Sequence, residues 1–220
     1  IYYFYGGKRK NMNLTNYYWY FKSAIPERVC DDIVRYGKQL QDQMAVTGGF
    51  GDVKNLNKKQ TKDLKKKRNS DIVWMNDRWI YKEIQPYIHT ANQSAGWNFQ
   101  WDHSESCQFT KYTKGQFYDW HCDGWDQPYQ REQEDPSHGK IRKLSVTVTL
   151  TDPKKYKGGE LEFDFRNQDP DKKPNIHKCT EILPKGSLVV FPGFVWHRVC
   201  PVKSGERNSL VIWNLGWPYK

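Results

Sequence analysis

"KLSVTVTLTD", residues 143–152, alternates without a break: Leu144, Val146, Val148 and Leu150 fall on one side, Ser145, Thr147 and Thr149 on the other. Successive side chains of a strand point to opposite faces, so this is a strand with one face for an apolar core and one polar face. The polar face either meets solvent or lines a polar pocket. What the neighbouring strands present decides between the two.

Short runs of similar texture surround it: "SCQFTKY" (106–112), "QFYDWHCD" (116–123), "GELEFDF" (159–165), "GSLVVFP" (186–192), "VWHRVCPV" (195–202) and "RNSLVIWNL" (207–215). Gly and Pro punctuate them, as in "KGG" at 157–159 and "FPG" at 191–193, and each reads as a strand closed by a turn. Upstream, the β-prone "NYYWYFKSAI" (16–25) leads into a helix that opens at Pro26 and repeats Val29, Ile33, Val34, Tyr36 and Leu40 near the helical period. A second helix is predicted over 76–91, with Trp79, Ile80, Ile84, Tyr87 and Ile88 on one side and Pro86 kinking or ending it. The expectation is a mainly β chain with flanking helices, two facing sheets behind a helical layer.

The 220 residues suit one such unit, and ten Trp, fourteen Tyr and ten Phe supply large side chains for its core. The net charge of +10 draws anionic partners. Much of it is local: "KNLNKKQTKDLKKKR", residues 54–68, holds eight Lys/Arg against one Asp. That stretch is read first as a solvated loop, and second as a loop touching an acidic substrate or nucleic acid. The five cysteines form no CxxC pair, and "IYYFYGGKRKN" lacks a signal-peptide pattern, which points to reduced thiols in a cytoplasmic setting. No stretch reaches the length of a membrane span. The first methionine is Met12, so residues 1–11 are read as an extension outside the fold.

Within "YDWHCDGW" (118–125), His121 and Asp123 share a strand face and Cys122 points away. One imidazole and one carboxylate do not make a site. A second imidazole, His197, follows in "VWHRVCPV", and two His with one carboxylate on one face of an octahedron suit an Fe(II) that leaves positions open for a co-substrate and oxygen. If "VWHRVCPV" pairs with "RNSLVIWNL" through "KSGE", Val211 faces His197 and Arg207 lies on the same side, about 13 Å away at ~3.3 Å per residue. A dicarboxylate could bridge that gap, held at its far end by the Arg207 guanidinium with Ser209 adding a hydroxyl.

These motifs, in the order "YTKGQFYDWHCD", "TLTDPKKYKGGELEF", "KGSLVVFPGFVWHRVCPV" and "GERNSLVIW", resemble the Fe(II)/2-oxoglutarate-dependent dioxygenases, most closely the prolyl 4-hydroxylase-like group of small bacterial and viral enzymes. The resemblance implies a double-stranded β-helix, or jelly roll. Over 12–220 it implies a single domain, with helical support at about 26–91 and the jelly-roll core at about 106–217. It makes His121, Asp123 and His197 the iron ligands and Arg207 and Tyr112 the partners of the 2-oxoglutarate C5 carboxylate, with Thr147, Thr149 and Ser209 lining the co-substrate pocket. Trp213, Arg142 and Trp125 then fall near the substrate, and Trp120 and Trp125 would shield the site. Arginine at 207, where collagen-type enzymes carry lysine, puts the substrate class in question more than the chemistry.

The activity so implied is hydroxylation of an unactivated carbon, foremost in a prolyl residue of a polypeptide, with 2-oxoglutarate converted to succinate and CO2. Fe(II), 2-oxoglutarate and O2 are the implied cofactors, with ascorbate in support. The implied partner is a polypeptide, an acidic one among the options, ahead of nucleic acid, and no membrane. An oxidative nucleic-acid demethylase, a small-molecule hydroxylase and a non-catalytic binding module on the same fold are the alternatives.

Overall fold

A computed structural model describes residues 16–40, 43–44, 57–166, 169 and 171–219. The reading of residues 1–11 lies outside these. The alternating strand around Val146 becomes β8 (Ile141–Thr149), near the middle of the larger of two antiparallel sheets. Its order is β1 (Trp19–Phe21), β12 (Leu188–Pro192), β8, β15 (Arg207–Gly216), β6 (Cys107–Tyr112), β4 (Asp71–Met75) and β2 (Gln43–Met44), with β5 (His103–Ser104) also paired to β15. The smaller sheet runs β11 (Ile176–Lys178), β10 (Leu161–Asp164), β13 (Trp196–Val199), β7 (Phe117–His121) and β3 (Arg68–Asn69). A separate ribbon joins β14 (Val202–Gly205) to β9 (Tyr156–Gly158).

The large sheet's apolar face packs on helices α1 (Glu27–Gln39) and α3 (Arg78–Ser94): Val29, Ile33, Ile80, Ile84 and Ile88 meet Leu144, Val146, Val148, Leu210 and Ile212 in one buried cluster. Burying each such side chain contributes about 1.5–3 kcal/mol. A second cluster fills part of the space between the sheets, where Tyr112, Leu161, Phe163, Val189, Phe191 and Val199 are buried together. Mainly β architecture with a helical layer behind facing sheets is therefore what forms.

Three local expectations are corrected. First, "VWHRVCPV" and "RNSLVIWNL" do not pair: β13 lies between β10 and β7, while β15 lies between β8 and β6. Pro201 has no N–H to extend the β13 ladder, and the chain there leaves the small sheet, with β14 pairing β9 before β15 begins. The strand-counted 13 Å separation between His197 and Arg207 falls with that pairing.

Second, the basic stretch is not a loop where it is described; residues 54–56 lie outside the described part. Lys58–Lys67 form helix α2, started by a capping box in which Gln60 N–H donates to Asn57 Oδ1 and Asn57 N–H to Gln60 Oε1, both at 2.9 Å. Lys and Gln are good helix formers, and Leu64, fully buried, anchors the single turn of apolar contact.

Third, α3 runs through Pro86 to Ser94. Pro86 sits on the exposed side, where the carbonyl it leaves free can meet water, and Thr90 Oγ1 donates to the Pro86 carbonyl at 2.9 Å. Trp79, placed on the inner side by periodicity, is instead 39% exposed.

Candidate metal and co-substrate site

β7 ends at His121, and the chain then turns away with Cys122 buried to one side and Asp123 on the side of His121. Asp123 N–H and Gly124 N–H both donate to the Gly193 carbonyl, at 2.9 and 2.8 Å. This pins the carboxylate loop to the turn that precedes β13. The approach demands glycine: a Cβ on Gly124 would lie 2.5 Å from the Arg142 carbonyl oxygen, and one on Gly193 would lie 2.8 Å from it.

β13 pairs β7 with His197 opposite His121. Asp123 Oδ1 is 3.7 Å from His121 Nε2 and Oδ2 is 3.5 Å from His197 Nε2, and the three residues offer ligand atoms within 4.8 Å of one another. Nδ1 of His121 donates to the Asp119 carbonyl at 2.7 Å, and Nδ1 of His197 donates to the Val195 carbonyl at 2.9 Å. A carbonyl can only accept, so in each neutral ring the hydrogen sits on Nδ1 and the lone pair is on Nε2, toward Asp123. Burial, reinforced by repulsion from His197, holds His121 well below the ordinary imidazole range. Burial alone would raise the Asp123 carboxyl, yet His197, His121 and Arg142 outweigh it and hold it at about 2. Two imidazoles and one carboxylate are a donor set that fits Fe(II) with positions to spare.

The polar face of the large sheet looks toward this triad. Phe191, opposite Ser145 in the register, meets the His197 ring edge-on at 4.7 Å. Opposite pairs along the same face are Arg207 with Tyr112, Ser209 with Thr149 and Thr110, Val211 with Thr147 and Gln108, and Trp213 with Ser145. Arg207, Tyr112, Thr110, Thr147, Thr149, Ser209 and Gln108 are all buried. A surface strand would not bury its threonines, so the polar face of β8 belongs to the interior between the sheets.

Arg207 is the exceptional group there. It is 2% exposed, gives Ser209 Oγ a hydrogen bond at 3.2 Å, and sits 5.5 Å from the Tyr112 ring centroid. Among the described residues it has no carboxylate within salt-bridge distance. A buried guanidinium without an anion is costly, and a carboxylate bound beside it would offset that cost. The "KGG" turn makes room for it: Gly159, at φ +67°, would place a Cβ 2.8 Å from Arg207 Cδ.

Arg142 lies 3.8 Å over the Trp213 ring and forks onto Glu105, with Nε donating to Oε1 at 2.9 Å. Tyr129, from the long segment after the HxD motif, donates to the same Glu105 oxygen at 3.1 Å. Glu105 and Tyr129 were not expected from the sequence, because a lone carboxylate between two strands carries no spacing signal. Neither was Arg68, at the end of the basic stretch. It is 4% exposed, lies over the Tyr118 ring at 4.4 Å and gives Ser70 Oγ a hydrogen bond at 3.1 Å, while Tyr118 stacks on His121 at 3.5 Å. Its Nη2 is buried without a partner. The alternation of buried Arg68, Ser70 and Ile72 was the signal available for it.

The aromatic shields expected beside the triad are not in those places. Trp120 points to the opposite side of β7 from His121 and packs under Arg198, 4.7 Å from its ring, and Trp125 is 61% exposed. Trp74, 43% exposed, lies 6.2 Å from Trp213.

A fold of facing antiparallel sheets with a His-Asp-His cluster and a buried arginine between them defines the oxygenases that use a non-haem iron. Residues 107–214, just under half of the chain, match the sequence profile of the 2OG-Fe(II) oxygenase superfamily, whose cofactors are Fe(II), 2-oxoglutarate and O2. A PKHD-type hydroxylase of Hyphomonas neptunium is 37% identical over 98 residues, which are 42% of this chain and 39% of that protein. One of Shewanella baltica is 36% identical over 106 residues, 48% of this chain and 40% of that protein. The matches thus span about two fifths of these curated relatives' length. In fold, the chain is similar to the viral collagen prolyl hydroxylase of Paramecium Bursaria Chlorella virus-1 in its 2OG complex, with a TM-score of 0.62, 21% identity, and coverage of 94% of this chain and 99% of that one. The Pseudomonas putida prolyl-4-hydroxylase gives a TM-score of 0.63 at 19% identity, covering 93% and 96% of the two chains. Among the described residues, no helix is long and apolar enough to cross a membrane.

Proposed function

We propose that this chain is an Fe(II)- and 2-oxoglutarate-dependent hydroxylase whose substrate is a prolyl residue in a polypeptide. The observation that carries the co-substrate assignment is the buried, anion-free Arg207 on the sheet face opposite the His121, Asp123 and His197 cluster. In this reading the two Nε2 atoms and the Asp123 carboxylate hold the iron, and Arg207 with Tyr112 takes the distal carboxylate of 2-oxoglutarate. Thr147, Thr149 and Ser209 line the space between. The bound metal supplies the oxidising chemistry, coupling loss of CO2 from 2-oxoglutarate to hydroxylation.

The chain's own contribution is placement and exclusion of water. The guanidinium fork fixes the co-substrate's far end, the sheet register fixes its length, and the buried threonine and serine hydroxyls satisfy oxygens that would otherwise hold solvent. Trp213, backed by Arg142, and the neighbouring Trp74 offer flat apolar walls at the mouth, suited to an extended chain with a pyrrolidine ring. Arg68, with an unpartnered N–H beside His121 and Tyr118, is suited to donate a hydrogen bond to a substrate carbonyl. The viral and Pseudomonas neighbours are prolyl hydroxylases by name, which supports the polypeptide reading.

The test incubates the protein with Fe(II), labelled 2-oxoglutarate and a panel of proline-containing peptides and methylated oligonucleotides. Succinate release coupled to gain of one oxygen on a peptide is expected. Coupled turnover only with an oligonucleotide would replace the prolyl reading with the demethylase one. No succinate under any condition, with metal occupancy confirmed, would sink the enzyme reading altogether.

A further inference from the structure

Helix α2 carries more positive charge than its stability calls for. At about 100° per residue, Lys58, Lys59, Lys62, Lys65 and Lys66 fall within an arc of about 120° centred opposite the buried Leu64. All five are exposed. Among the described residues Lys66 alone of these five has a salt bridge, to Asp63 at 2.9 Å. Lysines in the last turn complement the helix dipole, but Lys58 and Lys59 stand in the first turn, where no acidic residue offsets them. Lys58 with Lys62 and Lys62 with Lys66 are like charges four apart, an arrangement that destabilises a helix.

The arc is also placed. Helix α2 packs against β3 and β7 and runs directly into Arg68, which is buried over Tyr118, the residue stacked on His121. A segment lying along α2 therefore has one end at the mouth of the metal site. The helix is about 15 Å long, enough for four or five extended residues. No aromatic side chain stands on α2 to stack a nucleobase, whereas an ammonium row suits carboxylates without one.

We propose that the lysine arc of α2 docks an acidic stretch of the polypeptide substrate and so delivers a neighbouring residue to the site. This rests on the polypeptide-hydroxylase reading above, but the docking can be measured without turnover. A fluorescein-labelled octaglutamate peptide is titrated with the full chain and followed by anisotropy. The comparison is a variant carrying Lys58→Gln, Lys59→Gln, Lys62→Gln, Lys65→Gln and Lys66→Gln, and a second with arginine at the same five positions. Circular dichroism checks both for folding; Leu64 and the capping box are untouched.

Binding that weakens with added salt, drops about tenfold or more in the glutamine variant and survives in the arginine variant is expected, because five exposed ion pairs are lost together. Equal affinity in all three proteins would overturn the proposal. Tighter, lysine-dependent binding of oligothymidylate than of octaglutamate would overturn it in favour of a nucleic acid. Lysine-dependent peptide binding with no turnover on any proline peptide would uphold the docking surface and count against the hydroxylase reading alone.

Discussion

Asp123 hangs by its backbone N–H from the carbonyl of Gly193, at 2.9 Å, and Gly193 lies four residues before His197. One carbonyl oxygen thus ties the loop bearing the carboxylate to the turn that launches the second histidine. The distance between two members of the cluster that are far apart in sequence is set by backbone, not by the side chains themselves.

That clamp has no room for a methyl group. Gly124→Ala would push the loop off the Arg142 carbonyl and swing Asp123 out of place. Fe(II) or Co(II) affinity, measured by equilibrium titration, should fall about 10–100-fold, as when groups that orient a metal ligand are lost, with the circular dichroism spectrum unchanged.

Arg207→Lys retains charge and loses the fork. The KM for 2-oxoglutarate should rise about 10–100-fold with a smaller change in kcat, because a hydrogen-bonded charge contributes roughly 1.5–3 kcal/mol and, in the proposed function, this one holds the co-substrate's unreactive end. Steady-state kinetics with 2-oxoglutarate as the varied component check it. An effect confined to kcat would move Arg207 away from that carboxylate.

Glu105 neutralises Arg142 in a largely buried pair, with side chains 17% and 20% exposed. Glu105→Ala leaves the guanidinium uncompensated beside Trp213 and should cost about 2–4 kcal/mol in urea unfolding. Adding Arg142→Met should recover most of that loss, since removing both charges also removes the need for each.

Burial pushes Lys143, 4% exposed beneath the Tyr219 ring, down to about 8 from its ordinary 10.5. The folded chain therefore sheds this proton before the unfolded chain does. Between about pH 8 and 10.5 the unfolded state binds more protons, so this group makes stability rise with pH there, and its penalty is fully present below pH 8. Lys143→Met should stabilise the protein by about 1–2 kcal/mol at pH 7 and flatten that rise, as read by chemical denaturation across the range.

The His-Asp-His cluster was legible because each member lies within a short extended run with its own register: His121 and Asp123 declare themselves by spacing, and His197 by the "HRVCP" that follows. Alternation alone showed that Thr147 and Thr149 share a face, but not that the face is buried. The partner of each strand was not. Proximity in sequence suggested a β13–β15 hairpin, but a jelly roll sends consecutive strands to alternate sheets, and no local pattern around Pro201 reports that crossing. The helix within the basic stretch was hidden because charge dominates its composition and its apolar periodicity rests on Leu64. Arg68 was hidden by the same lysines, since a buried cation at the end of a solvated row looks like one more of them.

Strand β15 puts Arg207, Ser209, Val211 and Trp213 toward the pocket and Leu210 and Ile212 toward the helices. Side chains on the first side can be exchanged one at a time without disturbing the second, so ligand preference can drift while the scaffold stands still. Length cannot drift in the same way. A single residue added or deleted within this strand would trade every pocket group for a core group at once, and the arginine would arrive among isoleucines.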